Sequence, residues 1–197
     1  FQDGSPFNAQ VAKWNFDRIL NPATVSPVGR LNFSAVEKAE VVDDYTLMVK
    51  LKRPASDFLY YLSAVQASMM TPTAVEKWGK GYGLHPVGTG PFEFVEWAQD
   101  SRVVVKKNPN YWGTKAKLDE IQMKMISDIN AQFAAYKNNE LDISGVPAGT
   151  EKATMADPVL SKEILRYAEL VTFGFQFNVS KSPFDNKKLR QALNAAV

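Results

Sequence analysis

Apolar residues recur along this chain at two alternating periods, and the changes of period predict its elements. From about Asn8, residues Ala9, Ala12, Phe16 and Ile19 share one helical face, and Asn21-Pro22 ends that helix. The stretch 21–31, with Pro22, Pro27 and Gly29, reads as a loop. Period two then takes over. Segments near 34–42 and 46–52 flank Asp43-Asp44, and Leu47, Val49 and Leu51 alternate with Thr46, Met48, Lys50 and Lys52, as a hairpin with one solvated face requires. Beyond Pro54, Asp57 is placed to cap a helix through Phe58, Leu59, Tyr61 and Leu62. A second short helix runs from Pro72 to Trp78 before Gly79 and Gly81 break it.

In the second half, strands at about 91–98 and 101–107 join at Gln99-Asp100, and an aromatic turn follows at Asn108-Pro109-Asn110-Tyr111-Trp112-Gly113. Ile121, Met123 and Met125 alternate with Gln122 and Lys124 in a further strand, and Asp128 caps a helix whose Ile129, Phe133 and Tyr136 share a face. A short strand over 141–144 leads into the loop Gly145-Val146-Pro147-Ala148-Gly149, and a small helix lies near 151–156. A strand over 171–178 places Phe173, Phe175 and Phe177 on one face, which reads as core, with Thr172, Gly174 and Gln176 on the other. After Pro183, Asp185 caps a last helix with Leu189, Ala192, Leu193 and Ala196 on one face. Strands alternating with helices and no internal repeat predict a mixed α/β architecture.

Composition narrows the function classes. With 197 residues, 45% of them hydrophobic, the chain carries enough apolar side chain for one sizeable core or two small ones. Lys and Arg number 23 against 21 acidic residues and form no basic stripe, so nucleic acid is not an expected partner. With no Cys there are no disulfides, thiolate metal sites or Cys nucleophiles, which suits a cytoplasmic protein or an exported one that folds without bridges. No apolar run reaches the length of a membrane span, and no signal-like segment opens the chain. Phe1-Gln2-Asp3-Gly4-Ser5-Pro6-Phe7 starts without Met, directly on turn chemistry, which points to sequence upstream.

His85-Pro86-Val87-Gly88-Thr89-Gly90-Pro91-Phe92 concentrates Gly and Pro just ahead of a strand and reads as a crossing point between structural units, its glycines serving backbone crossing. It is not a phosphate loop, because no Lys and Ser/Thr follow the second glycine and no helix begins there. His85, the single His, lacks the companions a transition-metal site needs. The pairs Asp43-Asp44 and Asp119-Glu120 are neighbours whose side chains diverge, so both read as solvated turns and not as an acid–base pair. No nucleophile elbow or metalloprotease helix is present, which leaves no catalytic constellation. Gly174 keeps one strand face clear for backbone or ligand, and Gln176 beside it both donates and accepts hydrogen bonds. Arg30 is the one cation of its loop, either a solvated side chain or a fork for a carboxylate.

The order of motifs adds to this. Asp3-Gly4 with Pro6-Phe7-Asn8-Ala9, then Trp14, Phe16 and Arg18, then Val41 to Thr46, then Pro86 to Phe92, then Asn108-Pro109 with Tyr111-Trp112-Gly113, then Phe177-Asn178, Pro183-Phe184-Asp185 and Leu189 to Leu193, form a succession. It resembles the extracytoplasmic solute-binding proteins, family 5, of peptide, glutathione and nickel ABC transporters, over essentially the whole chain. Gln10-Val11 departs from the acidic residue and Val usual there, without bearing on function.

The resemblance implies a two-lobed, periplasmic-binding-protein-like fold of type II, of which this chain is a fragment. Residues 1–86 would form an outer small domain incomplete at its start, 87–178 part of the ligand-bearing first lobe, and 179–197 the truncated start of the second lobe. It implies a non-enzymatic component of an ABC importer that captures short peptides or glutathione-like solutes in an interlobe cleft and hands them to permease subunits. The protein would be monomeric and extracytoplasmic, with any lipid anchor upstream of Phe1, and would need no cofactor. The ligand-facing residues carried over are Val28, Gly29 and Arg30, Gly145 and Val146, and Gly174 and Gln176. The alternatives are the same fold with a nickel chelate, haem or opine, a transporter-linked sensor or chaperone-like module, or an α/β hydrolase-type enzyme.

Overall fold

The computed structural model describes residues 1–24, 26–167 and 174–196. They form a mixed α/β protein that divides into two compact units, Phe1–Gln132 and Phe133–Val197.

In the first unit, helix α1 (Ala9–Leu20) starts where the Asn8 side chain accepts from the Val11 amide at 3.1 Å, and it buries Ala9, Phe16 and Ile19 on the face its spacing predicted. Strands β1 (Val36–Asp43) and β2 (Thr46–Leu51) form the expected antiparallel hairpin, with Leu47, Val49 and Leu51 on the more sheltered face of β2. The core gathers Phe16, Ile19, Phe33, Val36, Ala39 and Ala67, with Phe58 packed against it. Phe33, 1% exposed, is its centre: its ring meets Phe16 edge-on at 5.7 Å and Phe58 at 6.3 Å. Buried Asn15 ties α1 to a distant segment, donating to Met70 O and accepting from Met70 N, both at 2.9 Å.

The stretch read as a loop over 21–31 contains a helix, α2 (Pro27–Asn32). Proline is a favourable first helical residue because its missing amide would be unpaired there in any case, so Pro27 starts the helix that it seemed to forbid. Helices α3 (Phe58–Leu62) and α4 (Pro72–Trp78) lie where expected, separated by a 3-10 turn at Val65–Ala67. Asp57 has helical backbone angles and its side chain makes no cap bond. Gly79 ends α4 at φ 51°, and a 3-10 helix, Gly79–Leu84, follows.

The second sheet runs in the order β3 (Phe92–Ala98), β4 (Arg102–Lys107), β5 (Glu120–Lys124), antiparallel throughout, with buried Val104 in the central strand. Side chains and backbone amides hold the segment before it by its carbonyls. Gln2 Nε2 donates to Gly90 O at 3.2 Å and to Phe92 O at 2.7 Å, Asn108 Nδ2 donates to Gly90 O at 3.1 Å, and Trp112 Nε1 donates to Thr89 O at 3.1 Å. The Gln2 amide donates to Gly88 O at 3.0 Å. Tyr82 donates to Val87 O at 2.9 Å, and burial raises its pKa. Gly88 and Gly90 lie outside the positive-φ region, and a Cβ on either would meet nothing within 4 Å, so steric crowding does not account for them.

Helix α5 (Ile129–Lys137), whose residues from Phe133 on belong to the second unit, begins where Asp128 Oδ1 accepts from the Ala131 amide at 2.7 Å; within the second unit α6 (Glu151–Ala156) lies where expected, and α7 (Leu160–Glu163) was not anticipated. The last helix, α8 (Lys187–Ala195), is capped by Asn186, one residue after the predicted Asp185. Residues 141–144 and 174–178 form no strand. The strand expected at Val171, Thr172 and Phe173 lies outside the described residues. Phe175, predicted as core, is 78% exposed: without strand pairing, nothing presses alternate side chains into a common interior.

Replacing Phe33 by Ala removes the ring on which α1, β1 and α3 converge. The expected loss is about 3–5 kcal/mol of unfolding free energy by denaturant titration, against about 0.5 kcal/mol or less for Tyr45→Ala at the exposed hairpin tip.

Candidate ligand-binding site

Helices α5, α6 and α7 and the two loops beside them enclose a cavity of about 660 Å³ within the second unit. Phe133, Val146, Met155 and Leu160 supply apolar wall, and Tyr136, Glu163 and Arg166 supply polar groups. The Tyr136 hydroxyl donates to Glu163 Oε2 at 2.5 Å across 27 residues of sequence. That bond, with the carboxylate's charge behind it, raises the Tyr136 pKa, since ionising the phenol would forfeit the bond and set two anions together. Arg166 Nη2 rests on Met155 Sδ at 2.9 Å.

Local bonds set the rim. Ser144 Oγ donates to Gly145 O at 3.0 Å, and Thr150 Oγ1 donates to Pro147 O at 2.7 Å, closing the turn after Gly145 and Val146. The Leu160 and Val159 amides both donate to Asp157 Oδ1, which lowers its pKa and fixes the start of α7.

Of the residues read from sequence, Gly145 and Val146 line this cavity. Gly174 and Gln176 are exposed in the same unit and are not among the described lining residues; a Cβ at Gly174 would meet nothing within 4 Å, so its surroundings are open. Val28, Gly29 and Arg30 belong to α2 in the first unit. Val28 is exposed and Arg30 half-buried, but Gly29 is buried: a Cβ there would meet Ser26 Oγ at 2.5 Å and the Ile19 side chain at 3.2 Å, so this glycine lets α2 close on α1. Sequence reasoning missed Glu163 and Arg166. Phe133 and Tyr136 were marked by their shared helical face, whereas nothing local pointed to a carboxylate 27 residues on.

The other candidate chemistry resolves into structure. Asp43 Oδ1 accepts from the Tyr45 amide at 2.8 Å, an interaction that with Thr46 lowers its pKa, as a turn carboxylate should. His85 stacks on Trp78 with ring centroids 3.6 Å apart. Among the described residues no three His, Asp or Glu side chains are grouped to hold a metal ion, and no helix is long and apolar enough to cross a membrane.

The sequence profile of the bacterial extracellular solute-binding proteins, family 5 (middle), matches residues 1–197. The chain belongs to this family. Among its relatives is the glutathione-binding protein GsiB of Shigella flexneri, 38% identical over 199 aligned positions that take in 100% of this chain and 38% of GsiB. The chain thus spans well under half the length of the curated relatives it matches. Solved structures share the fold, two of them as follows. NikZ of Campylobacter jejuni in complex with Ni(L-His) superposes with a TM-score of 0.80 at 25% identity, covering 100% of this chain and 39% of that one. OppA of Haemophilus influenzae in complex with RPPGFSPFR superposes with a TM-score of 0.82 at 24% identity, covering 98% and 41%. This family 5 chain therefore has the mixed α/β architecture of the type II periplasmic binding proteins.

The Tyr136–Glu163 contact carries a titration signature. Because the folded-state pKa of Tyr136 is raised, the contact contributes stability below the phenol's ordinary pKa and loses it as pH rises through the raised value. Glu163→Gln is expected to move the Tyr136 ionisation to lower pH in a spectrophotometric titration compared with Tyr136→Phe as baseline. An unmoved ionisation would remove the carboxylate as its cause.

Proposed function

We propose that this family 5 chain serves in the solute-binding component of an ABC importer that captures short peptides or glutathione-like solutes and delivers them to permease subunits. The observation that carries this reading is the 38% identity, across the whole chain, to proteins named for binding glutathione. The mechanism is capture and release: solute bound in an interlobe cleft shifts an open–closed equilibrium toward the form the permease engages, and no bond is made or broken. The component works outside the cytoplasm as a monomer.

The residues proposed to face the solute are Val28, Gly29, Arg30, Gly145, Val146, Gly174 and Gln176. Support comes from the accessible positions of Val28 and Arg30, from the cavity at Gly145 and Val146, and from the open space at Gly174. Gly29 acts by fixing α2. Residues 1–86 are proposed as an outer domain, 87–178 as part of the ligand-bearing lobe and 179–197 as the start of the other lobe. The two separate sheets fall on either side of residues 86–87 in sequence, although both belong to the compact unit Phe1–Gln132. A second reading, a nickel chelate as solute, is favoured by the likeness to NikZ solved with Ni(L-His).

Mass spectrometry of the solute released from the intact protein, with calorimetric titration of glutathione, separates these readings. Recovery of short peptides or glutathione and saturable glutathione binding are expected. A single metal chelate would replace the first reading with the second, and turnover of a bound molecule would overturn both.

A further inference from the structure

With no Cys, the six methionines carry all the sulfur of this chain, so its sulfur redox chemistry rests on thioethers. The six are not equivalent. Met69 and Met70 are half-buried, and the Met70 backbone is held through both its amide and its carbonyl by Asn15. Met48, Met123, Met125 and Met155 are exposed to nearly the same degree, at 47%, 48%, 42% and 48%. Of these four, Met155 has a guanidinium on its sulfur, with Arg166 Nη2 at 2.9 Å from Sδ. Arg18 Nη1 also meets a sulfur, that of Met70 at 3.5 Å, but there the side chain is sheltered. Among the described residues, Met155 alone joins an open thioether to an adjacent cation.

A thioether is a weak acceptor, and Arg166 makes no ion pair among the described residues, so the contact leaves most of its five N–H donors unspent. Their place beside the sulfur bears on a two-electron oxidation. A sulfur lone pair attacks one oxygen of a peroxide, the O–O bond breaks, and its electron pair departs on the other oxygen. With hydrogen peroxide, the departing hydroxide takes the proton of the transferred oxygen, giving sulfoxide and water; sulfur is oxidised, peroxide is reduced, and no further reactant is needed. Negative charge grows on the departing oxygen, and cationic N–H donors stabilise it. The sulfoxide oxygen is in turn a far better acceptor for the same guanidinium than the thioether was.

We propose that Met155 is an oxidative modification site, with a hydroperoxide as the oxygen donor and Arg166 as the group that favours transfer to this sulfur over the other exposed ones. Met155 belongs to α6 and Arg166 follows α7, both within the second unit, and both line its cavity. The sulfur stands in the apolar wall with Phe133, Val146 and Leu160, so oxidation places a polar oxygen in that wall and makes the polarity of the cavity depend on exposure to oxidant. Methionine sulfoxide reductases reverse the change, as for any sulfoxide they can reach. The inference stands apart from the identity of the solute.

The test treats the intact protein, labelled at its methionine methyl groups, with dilute hydrogen peroxide and follows all six signals by NMR in one sample. Met155 is expected to oxidise about threefold or more faster than Met48, Met123 and Met125, a small part of what an oriented donor contributes in a water-excluded site. Met70, with a guanidinium but sheltered, is expected to be slower than all four. Arg166 is exposed, so its replacement leaves the core intact. Arg166→Gln is expected to bring Met155 down to the rate of the other three, and Arg166→Lys, which keeps the charge, to retain part of the difference. Two results would overturn the inference: a wild-type Met155 no faster than the three exposed methionines, or an advantage that persists undiminished in Arg166→Gln.

Discussion

Three aromatic rings set the geometry of the first unit. Phe33 stands between Phe16 on α1 and Phe58 at the head of α3, and each ring meets it edge to face. Edge-to-face contact is directional, so the trio fixes orientation as well as burying area. Because Phe33 directly follows α2, whatever anchors that ring also anchors the short helix carrying Arg30. Six residues are too few for a helix to persist by its own propensity, and α2 exists because it is tethered at both ends: Gly29 closes on Ile19 and Ser26, and Phe33 is sunk in the core.

The Gly/Pro segment ahead of the second sheet works by a different economy. Its carbonyls at 88, 89, 90 and 92 are met by donors from Gln2 and Trp112, with Asn108 adding a second donor at Gly90. The Gly88 and Val87 amides also donate, to Gln2 Oε1 and the Tyr82 hydroxyl, so the stretch is held from both sides of its backbone and residues far apart in sequence converge on it. Asn108 and Trp112 of the family motif after β4 are thereby explained as parts of one tie, with Gln2 at its other end.

The two units differ in kind. The first buries a contiguous cluster, whereas the second buries little beyond Pro147 and Thr154 among its described residues and organises itself around a cavity and the Tyr136–Glu163 bond. Polar side chains lining apolar wall suit recognition of a solute better than they suit a packed interior.

What the chain's order of residues determined was periodic and local: α1 from Asn8, the hairpin at Asp43-Asp44, the three strands of the second sheet and α5 behind Asp128 all follow from side chains that repeat along one face. The family followed from ordered short motifs for the same reason, since each is a contiguous string. Tertiary structure alone decided the rest. It made a helix of 27–32 where Pro and Gly read as loop, left Phe175 in solvent where alternation read as core, and brought Glu163 to Tyr136. Those outcomes depend on which distant surface is available to pack against or bond to. Such energies act across space, and no window of neighbouring residues contains them.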